Sequence, residues 1–170
     1  AQSTEEMYEY LEDSLRIAKK GKMSSATLMD NSNPVLIQKK PYLFMVAAIS
    51  DYVPLYPQEG KLKKSMIGPT WKLELKQNID ILSTLNKDGI YTIGFKAEMD
   101  EEVASLNAKN MCTEKNIDAV CLNIINEKNS FGSSTNKIDL IIDDKTVSFN
   151  GEKLELSLNL LDKLSLEFYE

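Results

Sequence analysis

The chain has 170 residues, 20 lysines and arginines against 26 aspartates and glutamates, and a net charge of -6. This is the length and composition of one compact domain, and its acidity excludes any general attraction to nucleic acid or anionic lipid. There is no histidine, which removes Ser-His-Asp and Cys-His catalysis, histidine-based zinc sites and histidine pH switches.

Ser3-Thr4-Glu5-Glu6 has the form of a capping box, and the apolar residues behind it recur at a helical period, so a helix is expected over about 4–20, ended by Gly21. Residues 23–41 are polar and turn-rich and predict no element. Tyr42 to Ile49 is a continuous apolar run, expected to be a strand buried on both faces of a parallel sheet. Residues 53–70 hold Pro54, Pro57, Gly60 and the basic cluster Lys61-Leu62-Lys63-Lys64, and are expected to leave the sheet. Trp71 to Leu75 alternates like a half-exposed strand, so the protruding arm spans about 53–75.

Asn78 is expected to cap a short helix reaching Leu85. Ile90 to Phe95 predicts a second buried strand, broken by Gly94. Asp100 caps a helix through Met111, and Ile117 to Leu122 predicts a third strand. Lys137–Ile142 and Thr146–Phe149 flank Asp143-Asp144-Lys145 as a hairpin, Asn150-Gly151 marks a bend, and Leu156 to Leu166 closes the chain as a helix. Strands alternating with helices indicate an α/β, Rossmann-like three-layer domain with a mainly parallel sheet, whose ligands sit at the carboxyl ends of the strands.

The candidate strand ends are residues 47–52, 94–98 and 122–124, and the basic arm and the helix start at Asn78 carry further candidate residues. Asp51 follows a buried strand directly, behind the small residues Ala47, Ala48 and Ser50 that would let a ligand approach the backbone, and is either a ligand-facing carboxylate or a turn cap. Lys61, Lys63 and Lys64 concentrate the charge that a triphosphate requires, or form a solvated run. Asn78 and Asp80 open a helix whose N–H groups suit an anion or a base edge, although ordinary capping explains Asn78 equally well. Gly94-Phe95 offers close backbone approach and a ring to cover a flat ligand, or a simple bend with a core phenylalanine. The seven glycines contain no GxG pair, so there is neither a dinucleotide fingerprint nor a P-loop, and a nicotinamide-dependent oxidoreductase is disfavoured. Cys112 and Cys121 show neither a disulfide framework nor metal-ligand spacing, and no apolar run approaches the ~20 residues that span a bilayer. A soluble, cytoplasmic protein is expected, with no membrane or nucleic-acid partner.

Taken in order, these segments resemble the phosphopantothenoylcysteine synthetase family. Its A-A-x-x-D-Y stands here as Ala47-Ala48-Ile49-Ser50-Asp51-Tyr52, and K-x-K-K-S as Lys61 to Ser65. A segment like K-N-P-D-I-L stands as Gln77 to Leu82, G-F-x-A-E as Gly94 to Glu98, K-N-x-D as Lys115 to Asp118, and F-G-S-x-x-N as Phe131 to Asn136. Gln77 and Ile79 replace the motif's lysine and proline, and Met111 replaces a lysine one turn before Lys115. The family's glycine-rich first strand-turn and its N-R-S-S-G segment have no counterpart, so the resemblance implies a partial synthetase domain, the carboxy-terminal two-thirds, without the flavin-dependent decarboxylase fused upstream in many members.

The resemblance implies a ligase of coenzyme A biosynthesis. It would activate the carboxylate of 4'-phosphopantothenate with CTP, or less expectedly ATP, and pass the acyl group to cysteine. Mg2+ would accompany the nucleotide, no metal would be held by the protein alone, and no flavin would bind this chain. The resemblance makes Lys61 and Asp51 the catalytic residues. Lys63 and Lys64 would support the arm, Ala47 and Ala48 line the pocket, Asn78, Asp80 and Phe95 hold base and ribose, and Lys115 faces the nucleotide. It also implies a homodimer in which the lysine arm crosses to the partner's site. The alternative is a catalytically incomplete relative kept for dimerisation or regulation; without the missing segments, the chain alone is expected to hold an incomplete site.

Overall fold

The structure, a computed structural model, describes residues 1–23, 36–37, 39–58, 60–63, 68–126 and 132–168. Helix α1 runs Thr4–Ala18, with Ser3 as its N-cap: the Ser3 hydroxyl accepts from the Glu6 N–H at 3.1 Å. The reciprocal bond to the Glu6 carboxylate comes from the Gln2 N–H, one residue earlier than a strict capping box places it. The short strands β1 (Lys22–Met23) and β2 (Leu36–Ile37) pair antiparallel, in a stretch where the sequence predicted no element.

The central sheet has five strands in the order β3 (Tyr42–Met45), β6 (Tyr91–Glu98), β7 (Ala119–Ile124), β8 (Thr135–Ile142), β9 (Lys145–Glu152). β3, β6 and β7 are parallel; β8 and β9 add antiparallel. Between them lie β4 (Tyr52–Pro54) and β5 (Leu75–Gln77), which pair antiparallel outside the main sheet, and helices α2 (Ile81–Thr84) and α3 (Glu101–Lys115). Helix α4 (Lys153–Phe168) closes the chain.

Two clusters make three layers. On one face Ala104 and Ala108 of α3, with Ile81 and Leu82 of α2, pack on Met45, Val120, Leu122 and Ile141, joined by Met7, Tyr8 and Leu11 of α1. On the other, Leu156, Leu160 and Leu164 of α4, four residues apart and so on one helical stripe, pack on Ile93, Ala119, Cys121, Ile138 and Leu140. Residues alternate between the two faces along each strand, and because helices cover both, Ala119–Leu122 of β7 reads as an unbroken apolar run. Among the described residues no helix is long and apolar enough to cross a membrane.

Four local expectations are corrected. The 42–49 run is a strand only to Met45: the Val46 N–H turns back to the Phe44 carbonyl at 3.2 Å, and Val46, Ala47 and Ala48 are exposed. Residues 71–74 form no strand, because the arm's ladder to β4 lies at 75–77. β6 runs unbroken through Gly94. A Cβ there would lie 2.8 Å from both Ile117 Cδ1 and Met111 Cε, so the glycine makes room for apolar packing rather than for a ligand. Asn150-Gly151 is not a bend: β9 continues to Glu152 in register with β8, and α4 follows directly.

Candidate active-site cleft

A cleft of about 280 Å³ opens where the chain leaves β3. It is lined by the 47–51 loop, the 77–82 segment that ends the arm and enters α2, and Phe95, Met111 and Lys115. Ala47, Ala48, Asp51, Asn78, Asp80, Phe95 and Lys115, all predicted site residues, therefore converge on one cavity. It lies at the carboxyl end of β3, the position that an open α/β sheet reserves for ligands.

Each wall has a local cause. Asp80, not Asn78, caps α2: its carboxylate accepts from the Ser83 N–H at 3.2 Å and from the Ser83 hydroxyl at 2.8 Å. Its extended φ and ψ are those of an N-cap, with helix beginning at the next residue. The same carboxylate pairs with Lys115 Nζ at 3.0 Å. Partial burial pushes Asp80 up, but the hydrogen bonds from Ser83 and Lys115 outweigh it and hold the carboxyl below its ordinary value. Lys115 reaches this point from the last turn of α3, where a cation also suits the helix's carbonyl end.

The rest of the K-N-x-D segment is structural. Asn116 ends α3 in the left-handed region at φ 48°, a conformation that asparagine tolerates. The Asp118 carboxylate accepts from the Thr92 N–H at 2.6 Å and so fixes β6 beside β7. Glu98 of G-F-x-A-E is likewise occupied: it accepts from Asn107 at 2.9 Å and pairs with Lys96 at 3.2 Å, and these contacts, Asn107 first, hold its carboxyl below the usual value.

Asn78 turns inward. Its side-chain amide donates to the Ser50 carbonyl at 2.8 Å and to the Thr4 hydroxyl at 2.9 Å, while its backbone N–H donates to the Asp51 carbonyl at 2.8 Å. Ser50, expected with Ala47 and Ala48 to let a ligand approach the backbone closely, lines the cleft. Met111 lines it too, although sequence reasoning gave it no role there; its helical spacing to Lys115 was the available signal.

The described lysines of the basic arm are not brought into the cleft. Lys61 and Lys63 are exposed and line no part of it, and Lys64 lies outside the described residues. Phe131 of F-G-S-x-x-N also lies outside them. Neither cysteine is an activated nucleophile: burial pushes the Cys121 thiol up to about 12, and burial also raises Cys112. Among the described residues no group of three or more histidines, cysteines or carboxylates could hold a metal ion.

The chain is similar in sequence and fold to several known proteins. The coenzyme A biosynthesis bifunctional protein CoaBC of Vibrio cholerae is 32% identical over 98 residues, 55% of this chain and 24% of that protein. CoaBC of Vibrio vulnificus strain YJ016 is 30% identical over 124 residues, 69% of this chain and 30% of that protein. A protein from an unknown prokaryotic organism, named cysteine/cysteine sulfinic acid decarboxylase, is 29% identical over 136 residues, 78% of this chain and 36% of its own length. The chain thus spans between 24% and 36% of the length of these relatives. The crystal structure of the C-terminal domain of CoaBC matches with a TM-score of 0.63 at 20% identity, over 98% of this chain and 63% of that one, which establishes a common fold. The sequence also matches the DNA/pantothenate metabolism flavoprotein C-terminal domain over residues 4–166, and the chain belongs to that family.

Proposed function

We propose that this chain forms the nucleotide-dependent activating site of a phosphopantothenate–cysteine ligase. The observation that carries the reading is the convergence of Ala47, Ala48, Asp51, Asn78, Asp80, Phe95 and Lys115 on one cleft at a strand's carboxyl end. In the proposed reaction the substrate carboxylate attacks the α-phosphorus of CTP, forming an acyl–cytidylate bond and expelling pyrophosphate. The amine of cysteine then attacks the acyl carbon, the amide forms, CMP leaves with the bonding electrons, and the ammonium proton passes to solvent.

The chain's own part is positioning and charge. Asp80 and Lys115 form a fixed dipole in a cleft partly shielded from water, where electrostatics act more strongly than in bulk solvent. Phe95 gives an apolar surface for the flat base, and Ala47 and Ala48 leave the backbone open to close approach. Among the described residues no group of three or more carboxylates would hold magnesium without the nucleotide, so the ion would come on the phosphates, with Asp51 the cleft carboxylate not already paired with Lys115. No step is assigned to a protein-bound metal.

Among the described residues Lys115 is the only lysine lining this cleft, too little charge for a triphosphate. We infer that a second copy supplies Lys61, with Lys63 and Lys64, from its arm. The large apolar residues left exposed on the arm, Tyr56 at 69%, Trp71 at 54% and Leu75 at 51%, favour such a partner. The same shortage of cations favours one second reading, a relative whose site is incomplete and whose role is dimerisation. The test is pyrophosphate release from CTP or ATP with phosphopantothenate and magnesium, before cysteine is added. Release by this chain, or by a longer protein containing it, supports the ligase. No release by either, from folded dimer, favours the second reading.

A further inference from the structure

We propose that Asn78 is a positioning residue, tethering the first turn of α1 to the cleft, and that Thr4 acts on nucleotide binding only through it. The inference rests on the nucleotide reading of the cleft. An asparagine side chain has two N–H donors. Both are used here inside the protein, on the Ser50 carbonyl at 2.8 Å and the Thr4 hydroxyl at 2.9 Å. Its oxygen accepts from the Ile79 N–H at 2.9 Å. The orientation is fixed by chemistry, because the Ser50 carbonyl can only accept, so the nitrogen and not the oxygen must face it.

Three segments meet at this side chain: the start of α1, the loop leaving β3, and the segment leaving the arm. The latter two carry Asp51 and Asp80, the carboxylates of the cleft. The Asn78 N–H to the Asp51 carbonyl, 2.8 Å, closes the same knot from the backbone. With its donors spent, Asn78 has none left to read a base. Its effect on a ligand is to hold the two carboxylate-bearing segments at a fixed separation. Thr4 does not line the cleft but the adjoining cavity, which shares Ala48, Ile49, Ser50 and Asn78 with it, and the Asn78 hydrogen bond is the polar contact through which Thr4 meets the cleft wall.

The test compares the wild-type chain with Thr4→Val, which keeps the shape and removes the hydroxyl, Thr4→Ser, which restores it, and Asn78→Ala. Amide hydrogen exchange is measured without nucleotide, and CTP affinity by calorimetry. We expect Thr4→Val and Asn78→Ala to speed exchange of the residue-78 amide about five- to tenfold, the size of one lost hydrogen bond. CTP affinity should fall by a similar factor, with Thr4→Ser close to wild type in both. Wild-type exchange in Thr4→Val, or a Thr4→Ser no better than Thr4→Val, would overturn the tether. Faster exchange with unchanged CTP affinity would overturn its positioning role. If the wild-type chain binds no CTP, the nucleotide reading fails while the exchange measurements still decide the tether.

Discussion

The β6–β7 centre of the sheet and the β4–β5 arm are built from similar residue types and end in opposite states. At the centre Ile93, Ala119, Val120 and Cys121 are fully buried, because helices cover both faces of the sheet. On the arm Tyr52, Leu73 and Leu75 are 59%, 49% and 51% exposed, because a two-stranded ladder has no second layer to bury them. An isolated two-stranded ribbon is marginal in water. The difference teaches that apolar content stabilises only where a layer receives it. The arm's large side chains are available to a partner in a way that those of the sheet are not.

The sharpest way to break this comparison is Ile93→Ala, which empties a site packed from both neighbouring strands and α4; a loss of about 2–5 kcal/mol is expected by urea denaturation. Trp71→Ala should leave the urea midpoint within about 0.5 kcal/mol of wild type and shift a dimer toward monomer in sedimentation. If Trp71→Ala destabilised as much as Ile93→Ala, the arm would be part of the core and the contrast would fail. Next in size is Lys61→Ala, for which turnover should drop on the order of 10²–10³-fold, as for loss of a charge-stabilising donor, at unchanged thermal stability. Full activity would remove the arm from the mechanism.

Gly94→Ala probes how tightly α3 seats on β6. Its new methyl meets the far ends of Ile117 and Met111, so the cost should fall at the low end of the ~1–3 kcal/mol typical of overpacking. The smallest effect belongs to the Asp80–Lys115 pair. Since the carboxyl's folded value is depressed, its contribution is present above its unfolded value of about 3.9 and fades as pH falls through the lower folded value. Lys115→Ala should raise the Asp80 midpoint, seen in the carboxyl-carbon NMR shift, with a stability change under about 1 kcal/mol because both groups are substantially exposed. An unmoved midpoint would mean that Ser83 alone sets it.

The sequence by itself determined the layers and the motif order. Period-two and period-four apolar patterns state which face of a strand or helix must leave water, and the Leu156, Leu160 and Leu164 stripe or the Ala119–Leu122 run admits few other outcomes. It also marked Asp51 and Asp80, which stand next to element boundaries visible from composition, and Phe95 beside Gly94, while Lys115 was marked only through the family resemblance. Tertiary structure decided what those residues do. Asp80 took the cap that Asn78 was expected to hold, because three residues, the last of them extended, separate β5 from the start of α2. Asn78 turned to Thr4, a contact across 74 positions that no local pattern encodes. Gly94 became a seat for Ile117 and Met111 rather than an opening for a ligand. Propensity and periodicity act within a few residues of the chain. Hydrogen-bond partners and steric room between distant segments exist only once the layers have closed.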